Sequence, residues 1–261
     1  MINALRSAAT GMSAQQTQID GIANDLANIN TSAYKRSRAT FEDLYYDQIK
    51  SPGAINAQNI KSPNGIQVGH GTKLTAIYKD FTTGDLKQTD QALDLALEGN
   101  GFFQLTNAEG ESVYTRDGVF QLDGDGSVVN SNGLKVEPNI TIPVNTTSIT
   151  ISKDGVISIK TSDSQEVQEV GQMQVAMFQN PAGLEYLGGN VYKQTSASGT
   201  ATPVNPGQEG SGKIVQGFVE GSNVNVGESL ISMVVAQRSY ESNAKVIETA
   251  DRMMQSVNNI L

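Results

Sequence analysis

The chain has 261 residues, 38% of them hydrophobic, a formal net charge of −9 and no cysteine. That acidity argues against nucleic acid, which needs clustered Lys and Arg to release counterions, and against an anionic membrane surface; its bland meaning is solubility. The missing cysteine excludes disulfides and Cys-ligated zinc, and the modest apolar share argues against one deep core running through the whole length.

The first residues, Met1-Ile2-Asn3-Ala4-Leu5-Arg6, lack the basic-then-apolar layout of a cleaved signal peptide. No run approaches the roughly 18 apolar residues of a spanning helix. Sequence rules alone therefore point to the cytoplasm, but they are blind to export routes that use no cleaved signal.

Leu5, Ala8, Met12, Gln15, Ile19, Ile22, Leu26 and Ile29 fall at steps of three and four. That spacing predicts a helix over residues 3–29 with one narrow apolar seam. Asn28-Ile29-Asn30-Thr31-Ser32 then competes for backbone hydrogen bonds and ends it. Residues 34–50 mix aromatic, charged and apolar positions. From Lys50 to Gly71 the chain is polar, with turn signals at Pro52-Gly53 and Pro63-Asn64-Gly65. A stretch of that kind is functional or disordered.

Residues 72–219 read as strands and hairpins. Gly101-Phe102-Phe103-Gln104-Leu105 is one strand; Ser148 to Ser152 alternates strictly and resumes at Val156 after Asp154-Gly155. Asp-Gly and Asn-Gly pairs at 117–118, 123–124, 125–126 and 132–133 mark tight reversals. Thr195 to Gly212, rich in Ser, Thr, Gly and Pro, reads as a mobile loop. A last helix begins near Asn225 or Val226 and runs almost to Leu261. Its seam is Leu230, Met233, Gln237, Tyr240, Ala244, Ile247, Met254 and Leu261.

Catalytic patterns fail on inspection. His70 is the single histidine and has no cysteine to share a zinc ion with. Gly207 to Lys213 imitates a phosphate loop, but Ile214 stands where a Ser or Thr should hold magnesium, and a strand follows instead of a helix. Asp123-Gly124-Asp125-Gly126 resembles a calcium loop without its first aspartate or its final glutamate, so a hairpin turn is the better reading. Lys35, Arg36 and Arg38 form a small basic cluster, read as a solvated face or as a contact to acidic groups of a neighbouring subunit. No cofactor is expected.

Off the two seams lie further apolar residues, among them Ala9, Ala14 and Ala23 on the first helix, and Ile231, Val234, Val235, Ala236, Val246 and Ala250 on the last. Such helices are built to be buried on more than one side. Several copies packed around an axis would do that; an intramolecular helix pair lying flat on the β-module is the alternative, and both stay open.

The ends of the chain resemble a known family. Ala23 to Thr31 followed by Tyr34-Lys35 is similar to the N-terminal signature of the bacterial flagellar rod and hook proteins. Glu220 to Asn225 and Gln237 to Lys245 resemble the matching C-terminal signature, and Gly99 to Phe103 and Tyr114 to Gly118 resemble internal motifs. The chain departs from the pattern at Ala33, where a glycine is usual, at Asp25 in place of Asn, and at Ser239 in place of Ala.

The resemblance implies a non-enzymatic subunit of the flagellar basal body that stacks into a helical homopolymer. Its neighbours at the two ends would be other rod proteins and the hook, with outer-ring bushing proteins around it and neither nucleic acid nor membrane insertion. It further implies an extracytoplasmic address reached without a cleaved signal. Proximal rod and hook subunits of the same family are alternatives, as are, from other classes, a monomeric binding module and a cell-wall glycan hydrolase.

The fold class expected is α+β: long terminal helices forming a coiled-coil-type layer, with a central all-β module of hairpins. The expected divisions are residues 1–33 with 225–261 as the helical assembly domain, 34–71 as an extended bracing segment, and 72–224 as the β-rich domain. The assembly interface is assigned to Leu5, Met12, Ile19, Ile22, Leu26, Asn28, Ile29 and Asn30 and to the seam of the last helix. Bracing between subunits, which the resemblance attaches to the stretch around Ser51–Val68, is assigned to Pro52, Gly53, Pro63, Asn64 and Gly65.

Overall fold

A computed structural model of the chain describes residues 2–51, 64–107, 109–162 and 166–258. The architecture is α+β: one helix near each end and a β-rich region between them. The chain divides into two compact units. The first gathers residues 1–26, 37–78 and 225–261; the second gathers 27–36 and 79–224.

In the first unit, helix α1 spans Ile2–Ala27 and helix α2 spans Val226–Asn258. At about 1.5 Å per residue they are roughly 40 and 50 Å long. Asn225 caps α2: its side-chain oxygen accepts the Glu228 N–H at 3.2 Å, and its carbonyl accepts the Ser229 N–H at 2.9 Å. Glu228 in the first turn suits the positive end of the helix. The helices approach closely at Gly11, where a β-carbon would come within 2.9 Å of the Asn243 side-chain nitrogen. The glycine thus gives up helix propensity in exchange for a close contact.

Two strand pairs complete this unit. Ser37–Asp43 pairs with Thr72–Lys79, and Tyr46–Lys50 pairs antiparallel with Ile66–Gly69. Asp25, buried on α1, accepts the Ser37 N–H at 3.0 Å and so ties the first strand to the helix. Gly71, at φ +106°, packs so tightly on α1 that a β-carbon would overlap the Thr10 hydroxyl. Its imidazole neighbour His70 sits 3.0 Å from the Asp47 carboxylate.

The second unit is built on a nine-stranded sheet. Its principal path runs from Glu185–Gly188 through Val191–Lys193, Ser112–Thr115 and Phe102–Thr106, then Lys135–Val136 and Val128–Asn130, to Phe120–Leu122. A three-stranded sheet, Thr146–Ile151, Val156–Thr161 and Val167–Gln172, and two short pairs close around it. Side chains alternate across a strand, so the neighbours Phe102 and Phe103 enter different cores. Phe103 joins Leu95, Leu97, Leu105, Ile157, Ile159, Val175 and Ile214. Phe102 joins Leu184 and the aromatic residues Tyr114, Phe178 and Tyr192, with ring pairs that meet edge to face.

The segment 195–212, expected to be a mobile loop, is ordered. Thr202–Val204 pairs with Val175–Met177, and the fully buried Ser198 donates to the Thr195 carbonyl at 2.9 Å. Its Ser and Thr hydroxyls bond locally to backbone and replace the ladder that a regular strand would supply.

Candidate assembly surface and the clasp behind it

Seam residues of α1 lie on its inward side. Ile22 is buried, and Leu5, Met12, Ile19 and Leu26 are half-buried, as are Asn28 and Ile29 beyond its end; Asn30 is exposed. On α2, Met233, Ala244 and Ile247 are half-buried. Leu230, Gln237, Tyr240 and Met254 are exposed in the single chain. The buried α2 positions are Ala236 and Ala250, two heptads apart, which the larger residues of the seam masked at the sequence level. Leu261 and the turn residues Pro52, Gly53 and Pro63 lie outside the described residues; Asn64 and Gly65 precede the strand that starts at Ile66.

The outer side of α2 is strongly apolar. Val226, Leu230, Ile231, Val234 and Val235 are 44%, 49%, 68%, 47% and 58% exposed and follow the helical three-four spacing. The strand pairs of the same unit add Phe41, Ile49, Ile66, Leu74 and Ile77, all exposed. These side chains are left without apolar cover by the chain itself.

The second unit holds the segments that lead to both helices. Residues 30–36 follow α1 and residues 220–224 precede α2, and the two run side by side. The Ala33 N–H donates to the Glu220 carbonyl at 2.8 Å, and the Asn223 N–H to the Tyr34 carbonyl at 3.3 Å. The Asn223 side chain accepts the Arg36 N–H at 2.8 Å and donates to the Asp80 carbonyl at 2.8 Å. Lys79 lies 4.1 Å from the centre of the Tyr34 ring, a cation–π contact.

Beneath these bonds is a buried charge cluster. Lys35 and Glu220 have no exposed side-chain surface and form a direct ion pair; Lys35 Nζ also donates to the Thr82 carbonyl at 2.8 Å. The Glu220 carboxylate accepts the Gly84 N–H at 3.0 Å, and Arg116 Nη1 stands 3.8 Å from its other oxygen. Burial pulls the Lys35 ammonium below the usual lysine range, while Glu220 pulls it back. Burial likewise lowers Arg116.

The sequence reading of the basic cluster is therefore corrected at Lys35, whereas Arg36 is partly exposed and Arg38 exposed. Lys35 is neither a solvated face nor a contact to another subunit, because Glu220 of its own chain neutralises it. Arg36 reaches Asp80 at 3.0 Å. Nothing in local spacing links positions 35 and 220, so the pair was invisible to periodicity.

Ala33 occupies the left-handed region at φ +55° and is 1% exposed. Glycine is the residue that adopts this conformation freely.

Comparison with known proteins identifies the family. Residues 5–35 match the model described as "Flagella basal body rod protein", residues 96–159 "Flagellar hook protein FlgE/F/G D1 domain", and residues 215–260 "Flagellar basal body rod FlgEFG protein C-terminal". The two terminal matches cover both sides of the clasp. "Flagellar basal-body rod protein FlgG" of Borreliella burgdorferi is 44% identical over 100% of this chain and 99% of its own. The protein of the same description from Caulobacter vibrioides is 43% identical over 99% of both chains. A solved Helicobacter pylori flagellar hook protein, FlgE2, aligns with 71% of this chain and 43% of its own at 17% identity, but with a TM-score of 0.24 it carries no argument. The identity to rod proteins is sustained from end to end, and the chain belongs to the flagellar basal-body rod protein family.

Proposed function

We propose that this chain is the structural subunit of the distal rod of the bacterial flagellar basal body, polymerising helically into the hollow shaft that carries torque from motor to hook. Its role is mechanical, and the relatives are rod proteins and not enzymes. The observation that carries the reading is the exposed aliphatic face of α2. Covering five half-exposed side chains contributes about 1 kcal/mol each, and sister copies supply the cover.

In the polymer the terminal helices form the inner, coiled-coil-type layer and the β-rich unit the outer one. The interface runs through the two seams, with the stretch around residues 50–68 bracing subunits against one another. Other rod proteins and the hook adjoin the polymer at its ends, and outer-ring bushing proteins surround it. The subunit is exported without a cleaved signal and works outside the cytoplasm, in the periplasm of a Gram-negative cell. No helix among the described residues is long and apolar enough to cross a membrane.

The test is a double substitution, Ile231→Asp with Val235→Asp. Both positions are exposed in the single chain, so the melting curve of dilute protein should stay within about 0.5 kcal/mol of wild type. Polymer seen by electron microscopy, and motility of complemented cells, should vanish. A variant that still builds straight tubes would remove this face from the interface. Deleting residues 50–68 gives a second reading: curved tubes support the bracing role, and unchanged straight ones remove it.

A further inference from the structure

Beside the buried charge cluster lies a cavity of about 240 Å³ in the second unit. Its walls are Phe81, Phe102, Phe178 and Met177, and Asn100 and Gln179 add amide groups. Arg116 also lines it.

Arg116 is 2% exposed, yet its guanidinium is poorly provided for. Its one hydrogen bond is from Nη1 to the Leu97 carbonyl, long at 3.4 Å, and Nε has no partner. The nearest carboxylate, Glu220, is 3.8 Å from Nη1 and is already committed to Lys35 and the Gly84 N–H. Two buried cations thus share one anion. A buried arginine normally has its donors satisfied, because stripping them of water is costly. The planar fork of N–H groups suits a carboxylate best.

The apolar walls say what the carboxylate is attached to. The guanidinium carbon lies 5.6 Å from the centre of the Phe102 ring. Phe81 and Phe178 meet that ring edge to face at 5.2 and 5.6 Å. Such walls exclude a strongly hydrated inorganic ion and accept an aromatic or aliphatic body.

We propose that the Arg116 cavity is a binding site for a carboxylate borne on a small apolar body, either a free organic acid or an acidic side chain with apolar neighbours. All the residues that line the site belong to the second unit.

Phenylacetate and its neutral amide, phenylacetamide, are titrated into the full chain and followed by calorimetry and the methyl NMR signal of Met177. Saturable binding of phenylacetate is expected, with the amide weaker by about tenfold or more, the loss of a charge-assisted pair. Arg116→Gln should weaken phenylacetate by a similar factor, its fold checked by circular dichroism. Met177→Trp fills the cavity and leaves Arg116 in place; it should abolish binding while the chain still melts cooperatively. Competition by a Leu-Glu-Leu peptide amide would identify a protein side chain as the source, and its failure a free acid; either upholds the site. Equal binding of acid and amide, or no binding of either at millimolar concentration, would overturn it.

Discussion

Replacing Glu220 with glutamine keeps the shape of the clasp and removes the anion paired with Lys35. The amide oxygen can still accept the Gly84 N–H, and the backbone carbonyl still accepts the Ala33 N–H. What disappears is the charge facing Lys35 and Arg116, both almost without solvent. Removing one partner of a buried pair costs about 3–5 kcal/mol. In a unit of about 150 residues each kcal/mol lowers the melting temperature by about 2–4 °C, so a fall of roughly 6–20 °C is expected. Arg36→Gln is the control, since the Arg36 side chain is 37% exposed and its pair with Asp80 is worth at most about 1 kcal/mol. Urea and thermal unfolding of the full chain, followed by tyrosine fluorescence and circular dichroism, measure both variants. Tyr34, Tyr114 and Tyr192 are buried in this unit and report on it. If Glu220→Gln costs no more than Arg36→Gln, the electrostatic account of the clasp is wrong. A double variant, Lys35→Met with Glu220→Leu, should recover much of the loss, because no charge is then stranded.

Three further outcomes are expected. Ala33→Gly relieves about 1–2 kcal/mol of left-handed strain but gives back a similar amount in chain entropy and a buried methyl; its midpoint should stay within about 1 kcal/mol of wild type. Ala33→Val keeps the strain and adds a branch, so it should lose more than about 2 kcal/mol; equal midpoints for the two variants would contradict the φ argument. Gly71→Ala forces a β-carbon into the Thr10 hydroxyl at a positive φ and should destabilise the helical unit by about 1–3 kcal/mol, read from helical ellipticity during urea titration; an unchanged curve would count against that packing. Burial raises the Asp80 carboxyl, but bonds from Thr82 and Arg36 outweigh it and hold the group below its ordinary value of 3.8. Stability from Asp80 is therefore present above that pH and fades as pH falls through the lower folded value. Urea midpoints measured from pH 6 downward should fall more steeply in wild type than in Asp80→Asn; parallel curves would refute it.

Much of this molecule is local in origin. The three-four spacing of Leu5 to Leu26, and a helix-former-rich tail without proline, mark two long helices in the local sequence, and Asn225 announces the second by its capping chemistry. The Asp-Gly and Asn-Gly turns and alternating runs such as Ser148 to Ser152 specify hairpins, because turn geometry and the two-residue period act over a few positions. The family signatures at both ends were equally legible as strings of residues.

Only the tertiary structure decided which side of α2 is covered by its own chain. Ala236 and Ala250 are inside while the bulkier Leu230 and Tyr240 are outside, since close approach rewards small side chains over hydrophobic ones. It also decided the meaning of charge. Lys35 looked like surface until Glu220, distant in sequence, was found beside it in a space without water. Periodicity records what a residue's neighbours along the chain require. A buried ion pair and a half-satisfied arginine are set by desolvation, which depends on what the fold brings together from remote parts of the chain.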